Sequence, residues 1–196
     1  MIKRIFDLCA AGLGLLLLSP LLLVIALWIK LDSPGPVFFR QERVGRHGVP
    51  FRIHKFRSMR SGVPGLPLTV GSDPRITRVG TWLRAKRLDE LPQLIDVLQG
   101  TMSLVGPRPE VPRYVAHYPD ALRDVVLAVR PGITDPSSLD FLDEASLLAA
   151  AADPEREYIE RILPIKLQRA ARYARQATPW SDLAVLLRTL RRLLSR

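Results

Sequence analysis

Residues 8–29 read LCAAGLGLLLLSPLLLVIALWI, and how this run is seated decides the fold. Its 22 residues carry no charge. As a helix rising about 1.5 Å per residue they reach about 33 Å, enough to cross a bilayer's hydrocarbon. Ser19-Pro20 stands at the middle of the run. Pro20 removes one backbone hydrogen bond and crowds the carbonyl of Leu16, so a break or kink is predicted there. Positive charge flanks both ends, Lys3 and Arg4 before and Lys30 after. A single span would carry one of these clusters across the membrane, against the positive-inside tendency. A re-entrant helix, with Ser19 and Pro20 as its membrane break, keeps both clusters on the cytoplasmic face. A kinked single span is the competing reading. No small-residue cleavage pattern follows Trp28-Ile29-Lys30-Leu31-Asp32, which disfavours a cleaved signal peptide. Gly12-Leu13-Gly14 lacks the preceding strand and the third glycine of a dinucleotide fingerprint.

The whole chain, 196 residues, has room for such an element plus one smaller domain. Lysine and arginine number 29 against 19 acidic residues, a formal charge of +10. That excess calls for an anionic partner: nucleic acid, an acidic membrane surface or phosphorylated substrates. No nucleic-acid-binding motif accompanies the charge, and such a binder would leave the apolar run unused. Cys9 is the single cysteine, so there is no internal disulfide, and the composition fits a reducing compartment. His47, His54 and His117 show no metal-ligand spacing.

Downstream, Ser33-Pro34-Gly35-Pro36 is a rigid turn. Val37-Phe38-Phe39 begins a strand, Gln41 to Gly48 holds a turn, and Phe51-Arg52-Ile53-His54-Lys55-Phe56 alternates as the hairpin partner, the whole carrying Arg40, Arg43, Arg46, Arg52, Lys55 and Arg57. Residues 61–73 read as a Gly- and Pro-rich loop. Thr81 is the expected cap of a helix running to Arg87 or Leu88 and delivering Arg78, Arg84, Lys86 and Arg87. Residues 139–152 suggest a peripheral helix without chemistry, and residues 158–176 a helix around Pro164. From Asp182 onward Leu183, Leu186, Leu187, Leu190 and Leu194 share one face opposite Arg188, Arg191, Arg192 and Arg196. Such a tail suits a membrane interface, or packs on the core with its charges solvated.

Leu88-Asp89-Glu90-Leu91-Pro92-Gln93 carries the strongest chemical signal. Asp89 is expected to cap a short helix that Gly100 ends in the left-handed conformation. A carboxylate there stays ionised and can attack phosphorus, as aspartyl-phosphate enzymes do. Glu90 points elsewhere around that helix and suits a divalent ion. The bland alternative is that Asp89 only caps and Glu90 is only solvated. Gly106-Pro107-Arg108-Pro109 holds Arg108 on a proline-fixed backbone suited to a bidentate phosphate contact, the alternative being a stiff surface loop with an incidental arginine; Arg130-Pro131-Gly132 repeats the device.

Seven ordered motifs resemble one family: Lys3-Arg4-Ile5-Phe6-Asp7; Ser19-Pro20; Phe39-Arg40-Gln41-Glu42-Arg43-Val44-Gly45; Lys55-Phe56-Arg57-Ser58-Met59; the run from Asp73 to Gly80; Leu88-Asp89-Glu90-Leu91-Pro92-Gln93; and the run from Met102 to Pro109. They look like the motif set of the bacterial sugar transferases, the monotopic phosphoglycosyl transferases, with a length similar to the small, catalytic-domain-only members. The resemblance implies an α/β, mostly helical monotopic membrane protein. Residues 1–32 would form the re-entrant helix. Residues 33–196 would form a cytosolic catalytic domain with a β-hairpin and interfacial amphipathic helices, on the cytoplasmic face of the inner membrane. It implies Mg²⁺-dependent transfer of a sugar 1-phosphate from a nucleotide diphosphate sugar, usually a UDP-sugar, to undecaprenyl phosphate, releasing UMP. Asp89 would be the covalent nucleophile and Glu90 the metal ligand. Lys55, Arg57, Arg75, Arg87, Arg108 and Arg130 are the candidates for gripping phosphate or nucleotide. Anionic membrane lipids are expected partners, nucleic acid is not, and a homodimer is compatible with the sequence. Two departures leave the donor open: Asp135-Pro136-Ser137 where many relatives have Gly-Trp, and Asp96 where many have asparagine. A membrane-bound phosphatase or hydrolase of sugar nucleotides or isoprenoid phosphates is the rival reading, since it differs only in what attacks the intermediate.

Overall fold

A computed structural model describes all residues except Met1, Pro64, Leu66, Pro67, Ser72, 136–143, Ser195 and Arg196; the side chains of Ser146 and 192–194 are likewise not described. The described chain is mostly helical, with three small two-stranded sheets. Helix α1 (Ile2–Asp32) opens it. Its most apolar 18-residue window has a mean hydropathy of 2.5, yet only 11% of that window is buried, whereas a soluble core helix of that composition would be enclosed. The expected break at Ser19-Pro20 is not an interruption, because Pro20 lies inside the continuous helix. The reason is local. Leu16 loses the amide that Pro20 cannot supply, and the Ser19 hydroxyl donates to that carbonyl instead, at 2.8 Å.

Both ends of α1 are fastened to the rest of the protein. Near its start, Arg4 donates to the Val97 carbonyl at 2.8 Å, and Asp7 accepts from Ser103 Oγ at 2.8 Å and Leu104 N at 3.2 Å. Near its end, Ile25 and Ile29 pack with Phe56, Val79 and Leu83, and Asp32 accepts from Val79 N at 3.3 Å. Leu83 is fully buried, so truncating it to alanine should cost about 2–5 kcal/mol.

The hairpin comprises β1 (Phe38–Phe39), β2 (Glu42–Val44), β3 (Pro50–Arg52) and β4 (Lys55–Phe56). β2 pairs with β3 and β1 with β4, antiparallel and in one common register. Phe39 therefore stands opposite Lys55. Helix α2 (Arg78–Ala85) is capped by Thr77, not Thr81, with its hydroxyl accepting from Gly80 N. A 3₁₀ turn (Leu88–Glu90) and α3 (Gln93–Gln99) follow, and Gly100 ends α3 at φ 89°.

Strands β5 (Ser103–Val105) and β6 (Gly132–Thr134) pair in parallel around α4 (Pro112–Val115) and α5 (Asp120–Leu127). A Cβ on Gly132 would lie 2.0 Å from Gly106 N, so both positions admit glycine alone and Pro107 and Arg108 are held hard against β6. The C-terminal part contains α6 (Glu144–Ala149), α7 (Pro154–Glu157), a π-helical turn (Tyr158–Ile162), α8 (Leu163–Gln176) and α9 (Pro179–Leu194). Leu148 of α6 is 1% exposed and belongs to the core with Tyr114, Tyr158 and Leu163, so α6 is not peripheral. On α9, Val185 and Leu186 pack inward, while Trp180, Leu183, Leu187 and Leu190 form an exposed stripe. Pro136, Ser137, the start of the segment 139–152 and the last residues of the tail lie outside the described residues.

Candidate active site

Asp89 does not cap α3. That helix begins after Pro92 without a side-chain cap, and Asp89 and Glu90 lie in the preceding 3₁₀ turn. Arg87, at φ 53° and ψ 22°, turns the chain from α2 into that turn. A left-handed arginine is strained by about 1–2 kcal/mol, the kind of outlier found at working sites. The two carboxylates consequently converge rather than facing different ways. Both are buried, and Lys55 from the hairpin bridges them, its Nζ 2.8 Å from Asp89 Oδ2 and 3.4 Å from Glu90 Oε1.

Arg108 closes the other side of Glu90, with Nη2 2.5 Å from Oε1 and Nη1 3.4 Å from Oε2. Arg87 adds a third cation, 3.9 Å from Oε2. Burial alone would raise the Glu90 carboxyl, but Arg108, Lys55 and Arg87 outweigh it and hold it well below the usual carboxylate range. Glu90 in turn raises Arg108. Behind the hairpin, Asp96 of α3 accepts from His54 N at 2.8 Å and from His54 Nδ1 at 2.7 Å. That clamp fixes the residue next to Lys55, and the spacing of the histidines gave no sign of it.

These groups floor a cleft of about 690 Å³ whose lining includes Arg60, Arg75, Arg84, Arg87 and Arg108. Of the expected phosphate-gripping residues, Lys55, Arg87 and Arg108 meet around the dyad. Arg75 lines the cleft while paired with Asp73 at 2.6 Å. Arg57 borders it too, but donates to the carbonyls of Ile29 at 3.2 Å, Ser33 at 2.7 Å and Pro34. It satisfies carbonyls at and just past the end of α1. Arg130 lies elsewhere, its Nε donating to the Gly100 carbonyl at 2.9 Å. The lining also includes Glu110, Tyr114, Glu144, Tyr158 and Lys166, which no local sequence pattern brings together.

Among the described residues no group of three or more His, Cys, Asp or Glu side chains converges on a metal site. The donor set still fits Mg²⁺ in one way. This ion commonly takes one or two protein carboxylates and completes its shell with water and substrate phosphate, and Glu90, beside Asp89 at the cleft floor, offers such a carboxylate.

The family model described as bacterial sugar transferase matches residues 1–196. The N-acetylgalactosaminephosphotransferase of Aeromonas hydrophila that uses UDP-N-acetylgalactosamine and undecaprenyl phosphate is 39% identical over 99% of this chain and 44% of its own length. The UDP-glucose:undecaprenyl-phosphate glucose-1-phosphate transferase of Escherichia coli is 39% identical over 97% of this chain and 39% of its own length. The transferase of the same description from Caulobacter vibrioides is 39% identical over 98% and 70%. The chain thus spans less than half the length of the first two relatives.

Proposed function

The chain belongs to the bacterial sugar transferase family, and on that premise we propose that it moves a sugar 1-phosphate from a UDP-sugar to undecaprenyl phosphate, releasing UMP. The observation that carries this reading is the placement of Asp89. It is a buried carboxylate held by Lys55 at 2.8 Å, beside the Glu90–Arg108 pair, on the floor of an arginine-lined cleft. An anionic nucleophile meeting a diphosphate needs surrounding cations to offset the repulsion, and this cleft supplies them.

Asp89 Oδ attacks the phosphorus that bears the sugar. The bond from that phosphorus to the bridging oxygen breaks, and UMP departs. The sugar phosphate remains on the carboxylate as an acyl phosphate. A phosphate oxygen of the lipid then attacks the same phosphorus, the bond to Asp89 breaks, and the carboxylate is regenerated. Lys55 orients Asp89, while Arg87 and Arg108 stabilise charge on the transferring oxygens. Glu90 would hold Mg²⁺, which when bound supplies charge neutralisation at the phosphates.

The re-entrant reading of α1 belongs with this function, because it puts the cleft beside the lipid on the cytoplasmic face. It is supported by the docking of both helix ends on one body, through Arg4 and Asp7 at one end and Asp32 at the other. Between them Leu16, Leu17 and Leu23 are about 70% exposed. The outward stripe of α9, Trp180, Leu183, Leu187 and Leu190, suits the headgroup region, where anionic lipids would meet Arg188 and Arg191. Cysteines placed at positions 2 and 34 in a variant lacking Cys9 should both label only from the cytoplasmic side; labelling of position 2 from outside overturns the topology.

The chemistry is tested by intact mass after brief exposure to donor alone, across a panel of UDP-sugars. A mass gain of one sugar phosphate with one equivalent of UMP, absent in Asp89→Asn, is expected. Release of free sugar phosphate or inorganic phosphate in place of lipid-linked sugar would make the protein a hydrolase.

A further inference from the structure

The cleft has two unlike walls. Around Asp89 and on the α2 side the charged lining is mostly cationic: Lys55, Arg60, Arg75, Arg84, Arg87 and Arg108. The wall built from the end of the Arg108 loop and the C-terminal helices is different. Glu110 accepts from the Tyr158 hydroxyl at 2.5 Å. Lys166 Nζ donates to Glu144 Oε2 at 2.9 Å and to the Tyr158 hydroxyl at 3.4 Å, and stands 3.8 Å from Glu110 Oε1. Arg43 approaches Glu110 Oε2 at 3.7 Å. It lines the same cleft, and its Nε is buried without a hydrogen-bond partner. Tyr158 begins a π-helical turn that runs into Pro164 on α8; such turns cluster where a side chain must be re-aimed for function.

Resting on the transfer reading above, we propose that Glu110, Glu144, Tyr158 and Lys166 form the subsite for the donor's sugar and decide which sugar is accepted. Two arguments select the sugar over the nucleobase. The first is position. Glu110 lies two residues beyond Arg108, whose guanidinium grips Glu90 beside Asp89. The sugar hangs on the very phosphorus that Asp89 attacks, whereas the nucleoside is one phosphate further away. The second is chemistry. Uracil offers one N–H and two carbonyls, so a matching site needs two donors for each acceptor. This wall instead interleaves the carboxylates of Glu110 and Glu144 with the Lys166, Arg43 and Tyr158 donors, and such a mixed set suits a ring of several hydroxyls, each both donor and acceptor. A polar wall, buried at Glu110 and Tyr158 and half-buried at Glu144 and Lys166, also discriminates well, since a donor with one hydroxyl misplaced leaves protein groups unpaired.

The test measures the first half-reaction, UMP release, for full-length wild type, Lys166→Met and Glu144→Gln. The probes are UDP-glucose, UDP-galactose, UDP-N-acetylglucosamine and UDP-N-acetylgalactosamine, with UDP binding measured in parallel. The ratio of kcat/KM between the wild type's preferred donor and its next best should change at least about tenfold in one or both variants, while the Kd for UDP stays within about threefold. Retained UDP binding also certifies that the variants are folded; Glu144→Gln, the milder change, serves if Lys166→Met is not. A uniform loss across donors with UDP binding intact overturns the subsite alone, as does an unchanged ratio. A fall in UDP affinity matching the fall with each UDP-sugar overturns it in favour of a nucleoside site. Failure of wild type to release UMP from any of the four overturns the transfer reading, and the subsite with it.

Discussion

One cluster of buried carboxylates lies in the turn before α3 and another against β5, and burial does not tell them apart. Asp89 and Glu90 are 3% and 8% exposed; Asp7 and Asp182 are 2% and 3%. Their partners do. Asp7 accepts from Ser103 Oγ and Leu104 N, while Asp182 accepts from the Tyr173 hydroxyl at 2.5 Å and from Lys3 Nζ at 2.6 Å. These are mostly neutral donors that tie α1, β5, α8 and α9 together, and none of them lines the arginine-rich cleft. Asp89 and Glu90 are held by Lys55, Arg87 and Arg108, all of which line the cleft. The first cluster satisfies its charges internally. In the second, the cations around the pair also face incoming anions. A buried carboxylate is therefore a functional signal only when its counter-charges are shared with open space.

The greatest loss is expected from removing the charge of Asp89, the proposed nucleophile. Asp89→Asn should lower transfer by at least about 10³-fold while the thermal unfolding midpoint moves little. Activity within tenfold of wild type, with deamidation excluded by mass, would make the cleft cluster as structural as the other. Next, Arg108→Ala should lower kcat/KM by about 10²-fold, the scale of one lost transition-state donor. Arg130→Ala, which removes only a bond to the Gly100 carbonyl, should leave it within about threefold. Equal losses would mean that total charge, not placement, drives the reaction. A smaller effect, of another kind, is expected from Asp7→Ala. It orphans the Leu104 amide at about 1–3 kcal/mol, whereas the Ser103 hydroxyl keeps the Val105 carbonyl at 3.0 Å; the urea midpoint falls while activity per folded molecule is retained.

How much of this was legible in the sequence follows from the range of each interaction. Gly100 as a helix terminator and the outer hairpin arms are local and legible, whereas the turn expected over Gln41–Gly48 narrows to Arg46–Gly48 because Glu42–Val44 pairs with Pro50–Arg52. The cap of α2 lies one turn before the expected Thr81, because Thr77 and Thr81 are chemically equal until the approach of Gly80 to Ser58 fixes the helix start. The convergence of Asp89 and Glu90 depends on the left-handed Arg87 and on Lys55, 34 and 35 residues upstream of them, which no local pattern reveals. Arginines were the least legible. Arg57 and Arg108 sit in equally motif-like settings, yet one guanidinium bonds backbone carbonyls at the end of α1 and the other a carboxylate, a distinction set entirely by tertiary placement. The wall of Glu110, Glu144, Tyr158 and Lys166 is assembled from three separate stretches, each unremarkable alone.

The weakest of these effects appears in acid. The Glu90 carboxyl in the folded protein is held below its ordinary range, against burial, by Arg108, Lys55 and Arg87, whereas in the unfolded chain it titrates near about 4.3. As pH falls through that value the unfolded chain takes up a proton that the folded protein refuses, so stability drops with falling pH. The sign follows: the Glu90 contribution is fully present above the unfolded value and is lost as pH falls toward the lower folded one. In Glu90→Gln this position no longer titrates. The difference in unfolding free energy between wild type and Glu90→Gln should therefore be flat from about pH 8 to about pH 5, and should shift against wild type below about pH 4. Urea midpoints at half-unit intervals of pH measure it directly. A difference that stays flat to about pH 3 would mean that the three cations do not hold Glu90 ionised in the folded protein, and that the cleft's excess of positive charge is available to substrate alone.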